Sequence, residues 1–325
     1  MSARILPATD SGAIAEAAAV LKQGGLVAFP TETVYGLGAN AFDTGAVARI
    51  FAAKDRPSFD PLIVHVPSLA DVGRVAFADD PRLPGLAARF WPGPLTLVFL
   101  KRPELPDLVT AGLPAVGVRV PGHAMARALL TAAGVPIAAP SANPFGAVSP
   151  TTAAHVLEGL GDRVDVILDG GPCTVGVEST VLSLLGERPL VLRPGGVTRE
   201  DLEATLGHKV EVRASSSRPV SPGQLERHYA TRTPLDLLDG PAPARPSAPG
   251  RIGLLAFAAP PDGHGYAAVE VLAEDGRLAT AAARLFAALR RLDALGLDRL
   301  VAEPVPEDGL GRAILDRLRR AAARG

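Results

Sequence analysis

The sequence predicts an α/β protein of two domains. Its 325 residues exceed the usual size of a single hydrophobic core. Hydrophobic residues make up 47% of the chain and charged residues 21%, which is typical of globular proteins and excludes a disordered or fibrous chain. Short apolar runs alternate with helical patterns along the first 205 residues, and this alternation favours a sheet with helices packed on it.

The elements of the first domain follow one another in this order. A helix is predicted at residues 11–23, where two glycines end it. A buried strand at 26–29 and a second helix at 44–54 come next. Further strands are predicted at 62–66, 95–100, 116–120, 136–139, 164–168 and 180–184, and further helices at 124–133, 152–159 and 199–206.

The composition changes after residue 212. Residues 213–250 are polar, rich in proline and short of long apolar runs, so they predict a linker between domains. A small α/β pattern returns beyond it, with strands at 252–257 and 300–302 and helices at 276–292 and 310–322. We therefore expect a first domain at 1–212 and a compact second domain at 251–325.

Charge and cysteine content exclude several classes of protein. The net charge of −1 excludes a strongly basic nucleic-acid binder, although a local basic patch remains possible. A single cysteine, Cys173, excludes a disulfide framework and any cysteine-based zinc site. The first residues lack a signal-peptide pattern, and no uninterrupted apolar stretch predicts a membrane span. We expect a cytoplasmic protein that does not enter the membrane.

Six polar loops stand out in a chain otherwise rich in Ala, Leu and Pro. Several directly follow a predicted strand, which is where open α/β sheets bind ligands. Taken alone, each also has a plain structural explanation, such as a turn or a helix cap. The loops are 30–38 (PTETVYGLG), 54–57 (KDRP), 115–121 (AVGVRVP), 139–143 (APSAN), 176–181 (GVESTV) and 193–195 (RPG).

Cations in these loops suit an anionic ligand. Lys54 and Arg56 form a pair suited to phosphate oxygens, although cations at a helix C-terminus are also favoured by the helix dipole. Arg119 lies within an apolar run, so it needs a partner or an anion if it points inward and faces water if its strand is at an edge. His65, near a strand end, is by itself more typical of a core histidine.

The standard catalytic motifs are absent from the sequence, which has no GxSxG, HExxH, CxxC or GxGxxG. The polar set consists of hydroxyl, amide and guanidinium groups. Phosphoryl and nucleotidyl transfer depend mainly on alignment and charge neutralisation, which such groups provide.

Taken together and in this order, the loops resemble those of the threonylcarbamoyl-AMP synthase family (YrdC-type). The matching pieces are PTETVYGLG, KDRP, APSAN, GVEST and RPG, and they span nearly all of the first 200 residues. SPGQLERHYA at 221–230 and GLGRAILDRLRRAA at 309–322 resemble the long form of the enzyme, which has an extra C-terminal domain. The resemblance implies an open twisted mixed sheet, a smaller Rossmann-like C-terminal domain, and a linker at 213–250 that covers the active site as a lid.

The family makes L-threonylcarbamoyladenylate from L-threonine, bicarbonate and ATP, and releases pyrophosphate. The resemblance therefore implies a nucleotidyltransferase that supplies a tRNA-modifying threonylcarbamoyl transferase, with Mg²⁺ carried by ATP and no metal ligands of its own. It assigns catalytic roles to Lys54 and Arg56. It implies that ATP is bound by Lys54, Arg56, Asp60, Ala115, Ser141, Asn143, Ser149, Arg193 and Tyr229, and L-threonine by Thr33, His65, Arg119, Ala139 and Ser179.

Two other functions compete with this one. A hydrogenase-maturation protein that uses carbamoyl phosphate contains a related domain, but it also needs CxxC pairs, which one cysteine excludes. An RNA-binding module could use the same concave face, although a net charge of −1 weighs against general RNA affinity. Direct binding of tRNA is left open by the sequence.

Overall fold

Two sheets organise the computed structural model, which describes residues 3–213, 228–246, 249–260 and 264–323. Eleven strands form a large sheet in the order β1-β8-β2-β3-β7-β4-β6-β5-β9-β10-β11. Its strands are β1 (Arg4–Pro7), β2 (Val27–Phe29), β3 (Gly36–Asn40), β4 (Ile63–His65), β5 (Leu95–Leu100), β6 (Ala115–Arg119), β7 (Ile137–Ala138), β8 (Val166–Asp169), β9 (Thr180–Ser183), β10 (Leu190–Arg193) and β11 (Glu211–Val212).

Seven α-helices accompany the described part of this sheet. They are α1 (Ala13–Lys22), α2 (Thr44–Lys54), α3 (Leu83–Phe90), α4 (Asp107–Thr110), α5 (Ala124–Ala133), α6 (Ala153–Leu160) and α7 (Arg199–Leu206). Because the sheet contains both parallel and antiparallel strand pairs, it is mixed, which confirms the predicted fold class.

Helix α2 shows how local sequence places a site loop. The Asp43 side chain caps the first turn by accepting a hydrogen bond from the Ala46 amide at 3.0 Å. Val47 and Ile50 turn toward the core, and Asp55 ends the helix in the left-handed region with a φ of 53°. The helix therefore stops at Lys54, and the chain turns sharply into the loop that follows.

Strand register brings the polar loops to one edge of the large sheet. Strands β4 and β6 are parallel, and their last residues, His65 and Arg119, are register partners. Strand β9 starts directly after Ser179, and the antiparallel β10 ends beside it at Arg193. Strand β5 lies between β6 and β9 and pairs with both, so these four residues meet at the same edge.

A second sheet of four parallel strands follows in the order β12-β15-β13-β14. Its elements are β12 (Leu235–Leu237), β13 (Ile252–Ala256), β14 (Ala268–Val271), β15 (Arg299–Ala302), α8 (Leu278–Asp293) and α9 (Gly311–Ala322). Strand β12 lies within 213–250, so this part of the predicted linker belongs to the second sheet. Residues 214–227 and 247–248 of that linker and predicted lid lie outside the described residues.

The structure also adds elements that the sequence did not predict, and each has a physical reason. Strand β3 carries the residues GLGAN, where two glycines weaken the strand pattern. Gly38 is required there because a Cβ would lie 2.8 Å from the ring of Phe29. Strands β1 and β14 have no fully buried residue, so they lack an apolar run. Within the described ranges, no helix is long and apolar enough to cross a bilayer.

Candidate active site

A cavity at this edge of the large sheet gathers most of the predicted polar loops. Its volume is about 50 Å³, far less than the several hundred Å³ of a typical ligand pocket, so a ligand of ordinary size would have to displace side chains. It is lined by Thr31, Thr33, Val34, Gly36, Arg56, Ile63, His65, Arg119, Ala139, Pro140, Ser141, Glu178, Ser179, Arg193, His228 and Tyr229.

Arg119 projects into the cavity from the end of β6 and is held by two partners. Its Nη2 donates to Glu32 Oε1 at 2.6 Å, and its Nε donates to the Gly93 carbonyl at 3.2 Å. The second oxygen of Glu32 accepts from the Gly122 amide at 2.9 Å. Burial disfavours the charged form of Glu32, but the charge and hydrogen bond of Arg119 outweigh this and lower its pKa. The ion pair therefore holds a charged guanidinium in a fixed orientation and leaves some of its five N–H donors for a ligand.

His65 lies beside Arg119 and is uncharged. Burial, reinforced by the positive charge of Arg119, lowers the pKa of His65 from 6.5 to about 3. Its Nδ1 is buried and has no hydrogen-bond partner among the described residues. The ring packs edge-on against Phe29 with centroids 6.0 Å apart. His65 is therefore a neutral ring on the cavity wall.

We expect the substitution His65→Gln to reduce the loss of stability in acid. The unfolded chain binds more protons than the folded chain between pH 6.5 and 3 at this residue, so the free energy of unfolding falls as pH drops below 6.5. Between pH 6.5 and 5 the wild type should lose about 1–2 kcal/mol more than the variant. Urea unfolding at each pH measures this, and parallel losses in both proteins would contradict the burial argument.

Hydroxyl groups form two short pairs at the cavity. Ser179 Oγ lies 2.8 Å from Thr96 Oγ1. Thr33 Oγ1 lies 2.8 Å from Thr31 Oγ1, which also donates to the Val34 carbonyl. All of these hydroxyls are buried, so their orientation is set by the protein rather than by water. They provide polar groups of fixed direction beside Arg119 and His65.

Two further arginines, Arg56 and Arg193, also line the cavity. Arg193 Nη2 donates to the Ser179 carbonyl at 2.8 Å. Arg56 pairs with Asp60 at 2.9 Å and also donates to the Pro61 carbonyl at 2.9 Å. Burial lowers the pKa of both guanidiniums from a very high starting value. Both arginines are buried, so an anion that enters displaces little water from them.

Lys54 lies behind the cavity wall rather than on it. The Nζ donates to the Ser141 carbonyl at 2.5 Å and makes a short bond to the Asn143 carbonyl. Burial, together with the charge of Arg56, lowers the pKa of Lys54 well below its ordinary value. In this structure Lys54 therefore anchors the loop 141–143 to helix α2.

Hydrogen bonds made by its own side chains, Asn143 and Ser149, hold the loop that contains these two residues. Asn143 Nδ2 donates to the carbonyls of Pro144 and Ala147 at 2.8 and 2.9 Å. Ser149 Oγ donates to Glu178 Oε1 at 2.6 Å. Asn143 Oδ1 is buried and unpartnered in the part of the chain that the structure describes. Like Lys54, these two side chains support the cavity from behind.

Tyr229 closes one side of the cavity. It is buried, has a φ of 61°, and stacks on Phe286 with centroids 5.4 Å apart. Burial raises the pKa of Tyr229 to about 12, so the phenol keeps its proton. The adjacent His228 also lines the cavity. The Arg227 that precedes them belongs to the predicted lid but lies outside the described residues.

The structure brings nine of the predicted site residues together on the cavity wall. Lys54, Asp60, Asn143 and Ser149 are buried without lining it. Ala115 starts strand β6, four residues from Arg119, a separation of about 13 Å along a strand. Sequence reasoning assigned no role to Glu32 or Glu178, although both lie in loops that it singled out. The nine are Thr33, Arg56, His65, Arg119, Ala139, Ser141, Ser179, Arg193 and Tyr229.

The described residues contain no cluster of three or more His, Cys, Asp or Glu side chains able to hold a metal ion. Asp60 has one buried carboxylate oxygen without a hydrogen-bond partner in the same residues. Mg²⁺ at nucleotide sites commonly takes one or two carboxylates, with phosphates and water as its other ligands. One carboxylate oxygen cannot hold such an ion by itself, so the other ligands would have to come with the ion.

Both domains of this chain are similar in sequence to known proteins. The Sua5/YciO/YrdC family model, described as telomere recombination, matches residues 19–195, and the model for the threonylcarbamoyl-AMP synthase C-terminal domain matches residues 197–323. Threonylcarbamoyl-AMP synthase of Bacillus subtilis is 43% identical over 97% of this chain and 94% of its own length. That of Pyrococcus abyssi is 42% identical over 94% of this chain and 93% of its own. The crystal structure of P. abyssi Sua5 complexed with L-threonine has a TM-score of 0.90 and 38% identity, covering 98% of this chain and 97% of that one.

Proposed function

This chain belongs to the threonylcarbamoyl-AMP synthase family, and from that premise we propose that it makes L-threonylcarbamoyladenylate and pyrophosphate from L-threonine, bicarbonate and ATP. The observation that supports this most directly is the charge arrangement of the cavity. Arg119 is paired with Glu32. Arg56 and Arg193, in contrast, lie close enough to act on each other's charge, and Arg193 also contacts the Ser179 hydroxyl at 3.3 Å. Such a site suits a zwitterionic amino acid beside a polyanion.

L-Threonine would bind at the Arg119 side. The guanidinium is already oriented by Glu32, so its remaining N–H groups can take the amino-acid carboxylate in the planar, two-bond geometry that arginine favours. Neutral His65 and the hydroxyls of Thr33 and Ser179 would then face the rest of the substrate. An uncharged histidine suits this position because it adds no repulsion toward the ammonium group.

ATP would bind along Arg56 and Arg193, with Ser141 and Tyr229 beside it. Lys54 would support this binding from behind by holding the loop that carries Ser141. A phosphate near Lys54 would also favour its charged form and so oppose the effect of burial on its pKa. The Mg²⁺ carried by ATP would supply charge neutralisation, and Asp60 has the oxygen to contact it.

The chemistry requires no protein nucleophile. The threonine amine forms a bond to the bicarbonate carbon, with loss of the elements of water, to give a carbamate. A carbamate oxygen then forms a bond to the α-phosphorus of ATP, and the bond to pyrophosphate breaks. The arginines would align the two anions and stabilise the charge that develops on the phosphates. The reaction is therefore a nucleotidyl transfer.

The product is a labile mixed anhydride, so the site must exclude water. Burial of Tyr229 and His228 against the cavity suits this task. We expect the adenylate to pass to a tRNA-modifying threonylcarbamoyl transferase in the cytoplasm. The RNA-binding alternative is not favoured, since this chain matches threonylcarbamoyl-AMP synthases over nearly its whole length.

Mass spectrometry of a reaction with ATP, L-threonine and bicarbonate tests the proposal. We expect a mass equal to threonylcarbamoyl-AMP together with stoichiometric pyrophosphate. Omission of bicarbonate from carbon dioxide-depleted buffer, or replacement of L-threonine by D-threonine, should abolish both. Pyrophosphate released at the same rate without threonine would contradict the proposed function.

A further inference from the structure

Arg317 is a fully buried arginine that helix α9 of the second domain directs toward the cavity loops of the first. Its Nε donates to Glu178 Oε2 at 3.0 Å, and its Nη1 donates to the Pro194 carbonyl at 2.6 Å and to Asp316 at 3.0 Å. Arginine is almost never fully buried unless it is paired. A guanidinium in this position therefore indicates a specific task for it.

Glu178 is the first group that Arg317 fixes. One oxygen of this carboxylate accepts from Ser149 and the other from Arg317, so its orientation is determined at both ends. Burial disfavours the charged form of Glu178, but Arg317 and Arg193 outweigh this and lower its pKa. Because Glu178 lines the cavity and sits next to Ser179, its position affects the cavity directly.

The loop after strand β10 is the second group. Arg317 binds the Pro194 carbonyl, directly after Arg193 in the chain. The next residue, Gly195, packs so closely on the loop 178–180 that a Cβ would lie 2.3 Å from the Glu178 carbonyl oxygen. Arg317 therefore touches both loops that carry Arg193 and Ser179, at the point where they pack on each other.

Other contacts reinforce this link between the domains. Arg317 lies 5.5 Å from the ring centroid of Tyr229. Helix α8 passes so close to Gly176, at a φ of 77°, that a Cβ there would lie 2.3 Å from the Ala282 carbonyl oxygen. Three valines of the cavity loops also pack in the hydrophobic core of the second domain rather than that of the first. They are Val34, Val148 and Val177.

We propose that Arg317 is a positioning residue for the nucleotide side of the active site, through which the second domain holds Glu178 and the loop 193–195 in place. The assignment of this region to ATP rests on the proposed function, whereas the contacts of Arg317 are independent of it. Ser149, Glu178, Pro194 and Arg317 form one connected set. Ser149 and Arg193 belong to the proposed ATP site, whereas the threonine-site Ser179 keeps a separate partner in Thr96. Loss of Arg317 should therefore disturb ATP binding more than threonine binding.

The test compares Arg317→Met with Arg312→Gln. Arg312 lies on the same helix and forms an ion pair with Glu200 of the first domain, but it is partly exposed and away from the cavity. We expect Arg317→Met to raise the KM for ATP at least tenfold, with the KM for threonine changed less than twofold. Arg312→Gln should leave both near wild type. Equal changes for both substrates, or none in a folded Arg317→Met protein, would overturn the proposal.

Hydrogen exchange provides a readout that needs no turnover. Peptides covering 176–180 and 193–197 should exchange about tenfold faster in Arg317→Met than in Arg312→Gln, because the Gly196 amide bonds to the Glu178 carbonyl at 3.0 Å. If Arg317→Met does not fold, Arg317→Lys replaces it, with an expected threefold rise in the KM for ATP. A wild type that makes no adenylate overturns the proposed function alone, whereas unchanged exchange in these peptides overturns the role of Arg317.

Discussion

The substitution Arg119→Lys should raise the threonine concentration needed for half-maximal rate about 10- to 100-fold, which corresponds to the roughly 1.5–3 kcal/mol of a hydrogen bond to a charged group. A lysine keeps the charge but offers one compact ammonium in place of the planar fork. Its single ammonium would also have to bind both Glu32, which accepts from Arg119 at 2.6 Å, and the substrate carboxylate. The concentration of ATP at half-maximal rate should stay within about twofold, since we propose that Arg119 binds threonine and not ATP.

Steady-state kinetics with each substrate varied in turn measures both values. A suitable control is Arg49→Lys, because Arg49 forms an exposed ion pair with Asp165 and does not line the cavity. This control should behave as wild type in both titrations. Parallel rises for threonine and ATP in Arg119→Lys would show instead that Arg119 supports the fold of the site.

Local sequence patterns predicted much of the fold. The helices at 44–54, 124–133 and 199–206 and the strand at 95–100 have the predicted bounds. These elements have buried apolar residues at the spacing that each structure requires. Strands β12 and β14 were missed because each is short and has little fully buried surface, so only pairing with a distant strand reveals it.

The site shows a similar division between local and long-range information. Ordered motifs identified the loops, because a site loop needs hydroxyls, glycines and cations at particular positions. The motifs did not reveal which side chains form hydrogen bonds or ion pairs with each other. Glu32 meets Arg119 across 87 residues and Arg317 meets Glu178 across 139, and no local pattern encodes contacts of that separation. The structure alone shows that Lys54 binds backbone carbonyls.

The substitution Lys54→Met should weaken ATP use and stability together. Methionine fills a similar volume but leaves the carbonyls of Ser141 and Asn143 without their shared donor. Each unsatisfied buried carbonyl costs about 1–3 kcal/mol, or about 2–6 kcal/mol for the two. Because methionine also removes the cost of burying an ammonium group, we expect the free energy of unfolding to fall by about 2–4 kcal/mol. A domain with a typical stability of roughly 5–15 kcal/mol remains folded after such a loss. The released loop carries Ser141, so kcat/KM for ATP should fall about 10- to 100-fold.

Lys101→Met is the matched control, because Lys101 also donates to a backbone carbonyl, that of Leu105 at 2.9 Å, and pairs with the exposed Asp107. Its loss should cost about 1 kcal/mol or less and leave ATP kinetics unchanged. Urea unfolding and initial rates at sub-saturating ATP, on the same preparations, separate the two effects of Lys54. A stability loss with normal ATP kinetics would make Lys54 purely a support of the loop. An ATP defect at full stability would mean instead that its ammonium binds phosphate directly and that the two carbonyl bonds contribute little.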